Sequence, residues 1–159
     1  KSLDWLVTGR KDSISPSISN HTHVKLYDVQ VAGGHGAEVS VESVIDTITF
    51  DTNWLRSELK CEPSQLSLVF VTGDSMKSTL KEGDVVMVDH STVDNISDGI
   101  WVIDIGGGPV VKRLQHIAKA QIKVISDNDK KYDPFIVDLT ADPDGFRLIG
   151  RVVWSGGRM

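Results

Sequence analysis

The stretch GIWVIDIGGGPVVKRLQ, Gly99–Gln115, decides how this chain is read. Two apolar runs flank three consecutive glycines, Gly106, Gly107 and Gly108. Runs this short, with a glycine-rich connector, read as strand, turn, strand. In the second run, strand alternation puts Val110, Lys112 and Leu114 on one face and Val111 with Arg113 on the other. The same pattern extends outward: LSLVFVTG and DVVMVDH precede it, and QIKVISD, PFIVDL and FRLIGRVVW follow. Turn signals such as KEGD, SDG, SDND and DPDG separate the runs,. Seven short strands with tight turns predict a mainly β body, a compact bent sheet or partly open barrel. One short amphipathic helix is expected in TNWLRSELK, where Trp54, Leu55 and Leu59 fall at helical spacing and Pro63 lies beyond the end,. Upstream, VKLYDVQV alternates as a strand and runs into Gly33, Gly34 and Gly36. No fixed-period repeat is present.

The chain has 159 residues, enough for one domain with a real core,. No run approaches the roughly 18 apolar residues that a membrane helix needs, and no signal peptide opens the sequence. Cys61 is the single cysteine, so there is no disulfide framework, and a reducing cytoplasm is the expected compartment,. A net charge of −5, with Lys and Arg scattered, argues against a nucleic-acid-binding face within this chain,.

At the start, Leu3, Trp5 and Leu6 would form the apolar side of a short helix capped by Ser2 and stopped by Gly9,. KDSISPSISNHTH then reads as a polar linker around Pro16,. The expected organisation is the end of a missing domain over residues 1–10, a linker over 11–23 and the main domain over 24–159.

The candidate chemistry begins in VTGDSMKSTL, Val71–Leu80. Ser75 would leave a buried strand through Gly73, and turn N–H groups there, those of Ser75 and Met76, can converge on an oxyanion. On this stretch alone a turn-forming serine is the commoner reading. A nucleophile needs a base. His21, His23, His35, His90 and His116 build no Ser-His-Asp arrangement, G-x-S-x-G is absent, and no zinc-ligand spacing occurs,. The histidines read as surface residues, and neither a metal nor a cofactor is expected. Lys112 is the other base: a lysine on an apolar strand face is unusual, and burial lowers its pKa. On the residues alone, a lysine that snorkels to water from a sheet edge is the favoured reading.

Taken in order, VTGDSMKSTLKEGDVVMVD, DGIWVIDIGGGPVVKRLQ, ISDNDKKYDP and LIGRVVW resemble the C-terminal domain of self-cleaving repressors of the LexA and bacteriophage CI type. These are serine–lysine peptidases related in fold to signal peptidases. The resemblance covers about Leu26 to Trp154, and Ser75 and Lys112 stand at a separation typical of the family. Where many members carry a proline after Ser-Met-x, this chain has Ser78.

The resemblance implies Ser75 as nucleophile, Lys112 as general base and then acid, and Ala32-Gly33 as the bond cut, in a loop over about residues 30–40. It implies a homodimer or higher oligomer, operator DNA read by the missing N-terminal domain, and induction in the SOS response by a RecA filament or by an antirepressor. SLDWLVTGR is similar to the end of a helix-turn-helix domain, which favours a repressor over a polymerase accessory protein of the same fold. The rival expectation is a non-cleaving module for oligomerisation or antirepressor binding. A peptidase acting in trans is a weaker third.

Overall fold

The computed structural model describes residues 20–28, 43–141 and 143–158. Nine strands form one sheet: β1 His21–Asp28, β2 Ser43–Asp51, β3 Leu66–Phe70, β4 Val85–Asp89, β5 Gly99–Ile105, β6 Pro109–Ala118, β7 Gln121–Ile125, β8 Phe135–Asp138 and β9 Phe146–Gly156. Their spatial order is β2-β1-β3-β4-β9-β5-β6-β7-β8. Neighbours are antiparallel except β1 and β3, which run parallel with Leu26 opposite Leu68. The architecture is therefore the open, bent, mainly β sheet expected from the alternating runs.

Four register irregularities bend the ladder, two of them along β9. An extra residue on one strand kinks it and raises the local twist. β9 can thereby pair with β4 along Arg151–Gly156 and with β5 along Phe146–Arg151.

The single α-helix among the described residues, α1, spans Thr52–Ser57. The Asp51 carboxylate accepts the Trp54 N–H at 2.9 Å, a side-chain N-cap,. The helix ends through Lys60, at φ 54, with the Cys61 N–H donating back to the Leu55 carbonyl,. Leu55 is fully buried, and Phe50 stacks on Trp54 and meets Trp154 edge-on,.

Two differences from the sequence reading stand out. β1 starts at His21, inside the stretch read as linker, and pairs with β2 from its first residue. Strand β2 itself was not anticipated. The end segment 1–10 and the loop 30–40 lie outside the described residues.

The core has three clusters. One gathers Val69, Val71, Met76, Leu80, Val86, Val88, Val102 and Val111. A second lies under α1, around Leu55, Leu68 and Met87. The third holds Trp101, Ile103, Leu114, Ile122, Val124 and Val137. β6 alternates as expected, with Val110 and Leu114 against the third cluster and Val111 in the first.

Candidate active site

Ser75 sits in a tight loop that leaves β3 through Gly73, whose φ of 73 suits glycine,. The loop is wound by Lys77 N–H to Asp74 O at 3.1 Å and Leu80 N–H to Met76 O at 2.8 Å. Met76 and Leu80 are buried in the first core cluster, so the apolar residues on either side of the loop pin it to the sheet. Gly83-Asp84 closes the loop: Val71 N–H donates to Asp84 O, Gly83 N–H donates to Val71 O, and the Asp84 carboxylate accepts the Lys81 N–H. The N–H groups of Ser75 and Met76 donate to no acceptor among the described residues. Ser75 itself is half-buried.

Lys112 lies on β6 opposite Trp101 of β5. It is buried, with 9% of its surface exposed, so the snorkelling alternative does not describe it. Its Nζ donates to Ser126 Oγ at 2.8 Å, and burial holds its pKa below the ordinary lysine value,. Ser126 is one step past the Arg113–Ile125 pair, so strand register places it across from Lys112. Among the described residues, Ser75 and Lys112 share no hydrogen bond.

The segment after β7 connects the two. Asn128 donates its backbone N–H to Ser75 O at 3.0 Å and its side-chain amide to Asp74 O at 3.1 Å. The Asp74 carboxylate accepts from Tyr132 Oη at 2.7 Å and Lys131 Nζ at 2.8 Å, and these contacts hold its pKa below the usual carboxylate range. Asp127 takes a two-pronged bond from Arg113, at 2.8 and 2.7 Å, and also accepts from Thr79 Oγ1 of the Ser75 loop,. In the sequence, ISDNDKKYDP reads only as a turn and a family-like stretch. The parity of Ile122, Val124 and Ser126 was the available signal for Ser126; nothing in the sequence pairs Tyr132 with Asp74.

The remaining site residues fall elsewhere. Ala32 and Gly33 lie outside the described residues, as does His35. His90 departs from the surface reading: it is half-buried, with Nδ1 toward Ile149 O at 2.9 Å and Nε2 2.6 Å from Ser67 Oγ. Because the carbonyl only accepts, Nδ1 donates to it, and Nε2 shares the second hydrogen bond with the buried Ser67 hydroxyl,. His90 thus ties β3 to β9. His21, His23 and His116 are exposed. Cys61 is a buried thiol whose pKa is pushed up to about 11, by burial first and by Asp89 next. No three His, Cys, Asp or Glu side chains gather as a metal site among the described residues. No helix there is long and apolar enough to cross a membrane.

A bent β sheet thus brings a loop serine and a buried strand lysine to one connecting segment, the arrangement of a peptidase-like domain of the S24 type. The chain belongs to the Peptidase S24-like family, whose pattern matches residues 25–153. It is 35% identical over 123 residues to the 26 kDa repressor protein of Escherichia phage HK022, a match covering 76% of this chain and 52% of that protein. The chain thus spans about half the length of this curated relative. The likeness to the C-terminal domain of LexA and CI-type repressors stands on these two matches.

Proposed function

We propose that this chain is the C-terminal regulatory domain of a phage-type transcriptional repressor that cuts its own Ala32-Gly33 bond. Ser75 Oγ attacks the Ala32 carbonyl carbon as its proton passes to Lys112 Nζ. The tetrahedral oxyanion is held by the N–H groups of Ser75 and Met76. Collapse breaks the C–N bond, Lys112 returns the proton to the Gly33 amine, and water hydrolyses the acyl-serine. The observation that carries this reading is the burial of Lys112. For a lysine with 9% of its surface exposed, on an apolar strand face and with no ion-pair partner among the described residues, burial lowers the pKa and so makes the neutral form easier to reach,.

The repressor role draws on the HK022 relative. On this proposal the domain of the present chain forms homodimers or larger oligomers, and a separate N-terminal domain reads paired operator half-sites in the cytoplasm. A RecA filament formed on DNA damage, or an antirepressor, acts as inducer by favouring the cleavage-ready arrangement.

Incubation of the purified chain at alkaline pH, followed by intact mass, tests the reaction. Products ending at Ala32 and beginning at Gly33 are expected, and Ser75→Ala and Lys112→Ala should each abolish them. Continued cleavage in Lys112→Ala would overturn the base assignment. One observation favours a second reading: Lys112 donates to Ser126 rather than to Ser75. If the mass stays unchanged over long alkaline incubation, the domain is a non-cleaving oligomerisation or antirepressor-binding module.

A further inference from the structure

One side chain outside the dyad touches Lys112 and the residue next to Ser75. The ring of Tyr132 has Lys112 Nζ over it, 5.3 Å from the centroid. The hydroxyl of the same residue donates to Asp74, the residue immediately before Ser75. We propose that Tyr132 is a positioning residue that couples base and nucleophile, its ring seating the Lys112 ammonium and its hydroxyl fixing the Ser75 loop. The inference rests on the Ser75–Lys112 reading for its meaning in catalysis, though not for its geometry.

The ring and the hydroxyl do different work. An ammonium over an aromatic face is attracted by the ring quadrupole, more strongly where water is excluded. The ring therefore favours the charged form of Lys112 and opposes the effect of burial. Lys112 is held protonated to a higher pH than burial alone would allow, which restrains self-cleavage near neutrality. The hydroxyl acts through the loop: with Lys131 it fixes the Asp74 carboxylate, and Asn128 fixes the Asp74 and Ser75 carbonyls. A nucleophile displaced by about 1 Å can lose on the order of a hundredfold in rate, so a bond one residue away has leverage.

Other charges near Lys112 do not reproduce this. Lys131 Nζ also lies 5.3 Å from the Tyr132 centroid, but it is paired with Asp74. Arg113 and Asp127 pair with each other, and β5 presents uncharged Trp101 opposite Lys112.

The test uses the full chain carrying Ser75→Ala, so that nothing is cleaved, and follows the 13Cε shift of Lys112 against pH. Tyr132→Phe keeps the ring and should leave the midpoint in place. Tyr132→Leu keeps an apolar cover without the quadrupole and should lower it by about half a unit to one unit. A midpoint in Tyr132→Leu that stays or rises overturns the ring's role. With Ser75 restored, Tyr132→Phe should cleave roughly tenfold more slowly at every pH with the same pH midpoint. An unchanged rate overturns the hydroxyl's role. A side chain that merely packs would lower the melting temperature in both variants without separating the two readouts. Absence of cleavage in the parent chain would defeat the peptidase reading, while the lysine titration would still decide the ring's role.

Discussion

Ser78 occupies a backbone conformation with φ 97, one that side chains with a Cβ rarely adopt,. Glycine enters that region freely, so Ser78→Gly should stabilise the chain by about 0.5–1 kcal/mol after its larger unfolded-state entropy is counted. Proline is locked near φ −65° and cannot follow the observed path, so Ser78→Pro should cost roughly 2–3 kcal/mol. Thermal unfolding of the two variants checks both signs. Lys112 yields a second prediction at this scale. Its folded pKa lies below the unfolded value, so between the two the unfolded chain binds more protons and stability rises with pH,. The gain should accumulate from the folded pKa up to the lysine value near 10.5. Lys112→Met removes the titrating group, and denaturant unfolding from pH 7 to 10 should show a flatter rise than in Ser75→Ala. An equal slope in the two chains would mean that Lys112 titrates alike folded and unfolded.

Between β6, β7 and the Ser75 loop, the Arg113–Asp127 pair is the hinge pin. Asp127 is the more enclosed partner, with a side chain 10% exposed against 40% for Arg113, and Arg113 holds its pKa below the usual carboxylate range. Arg113→Leu would leave that carboxylate unpaired beside Thr79, at a cost of about 2 kcal/mol. It should also slow self-cleavage more than it lowers the melting temperature would suggest, because Thr79 ties the same carboxylate to the nucleophile loop. Stopped cleavage assays on folded variant, compared with urea midpoints, separate the two effects. The elements themselves were legible in uneven measure. The seven downstream strands announced themselves through alternation cut by Gly and Asp turns. β2 did not, because Val44 and Ile45 are consecutive apolar residues, both exposed, and the ladder skips Ile45 at a register shift, which interrupts the period of two. Lys112 was conspicuous as a charge on an apolar face, whereas Ser126 and Tyr132 belong to a segment whose composition reads as a turn. Their roles come from register and from a loop contact 58 residues away in sequence, which no local pattern encodes.

Across the whole molecule the sheet has two halves joined through one strand. β2-β1-β3-β4 lies on one side of β9 and β5-β6-β7-β8 on the other, so β9 carries the ladder between them. It also feeds all three core clusters: Phe146 and Leu148 pack on the third, Ile149 and Val152 on the first, Val153 and Trp154 on the second. Its pairing with β4 and β5 is contact between distant parts of the sequence, which is why strand order was not readable from neighbouring runs. The most sensitive position on β9 is Gly150. A Cβ there would lie 2.6 Å from Val88 Cγ1 and 2.7 Å from the Asp89 carbonyl, and a backbone oxygen cannot rotate away as a side chain does. Gly150→Ala should therefore lower stability by about 1–3 kcal/mol, by forcing β4 and β9 apart. Gly107→Ala is the control, since a Cβ at that site meets nothing within 4 Å. The consequence reaches the site, because β4 leads from the Gly83-Asp84 closure of the Ser75 loop while Lys112 stands on the far side of β9, two strands away. Strain at the seam should thus impair cleavage together with stability, even though Gly150 touches neither residue of the dyad. Equal urea midpoints and equal cleavage rates for Gly150→Ala and Gly107→Ala would show that the two halves hold together without a tight seam at β9.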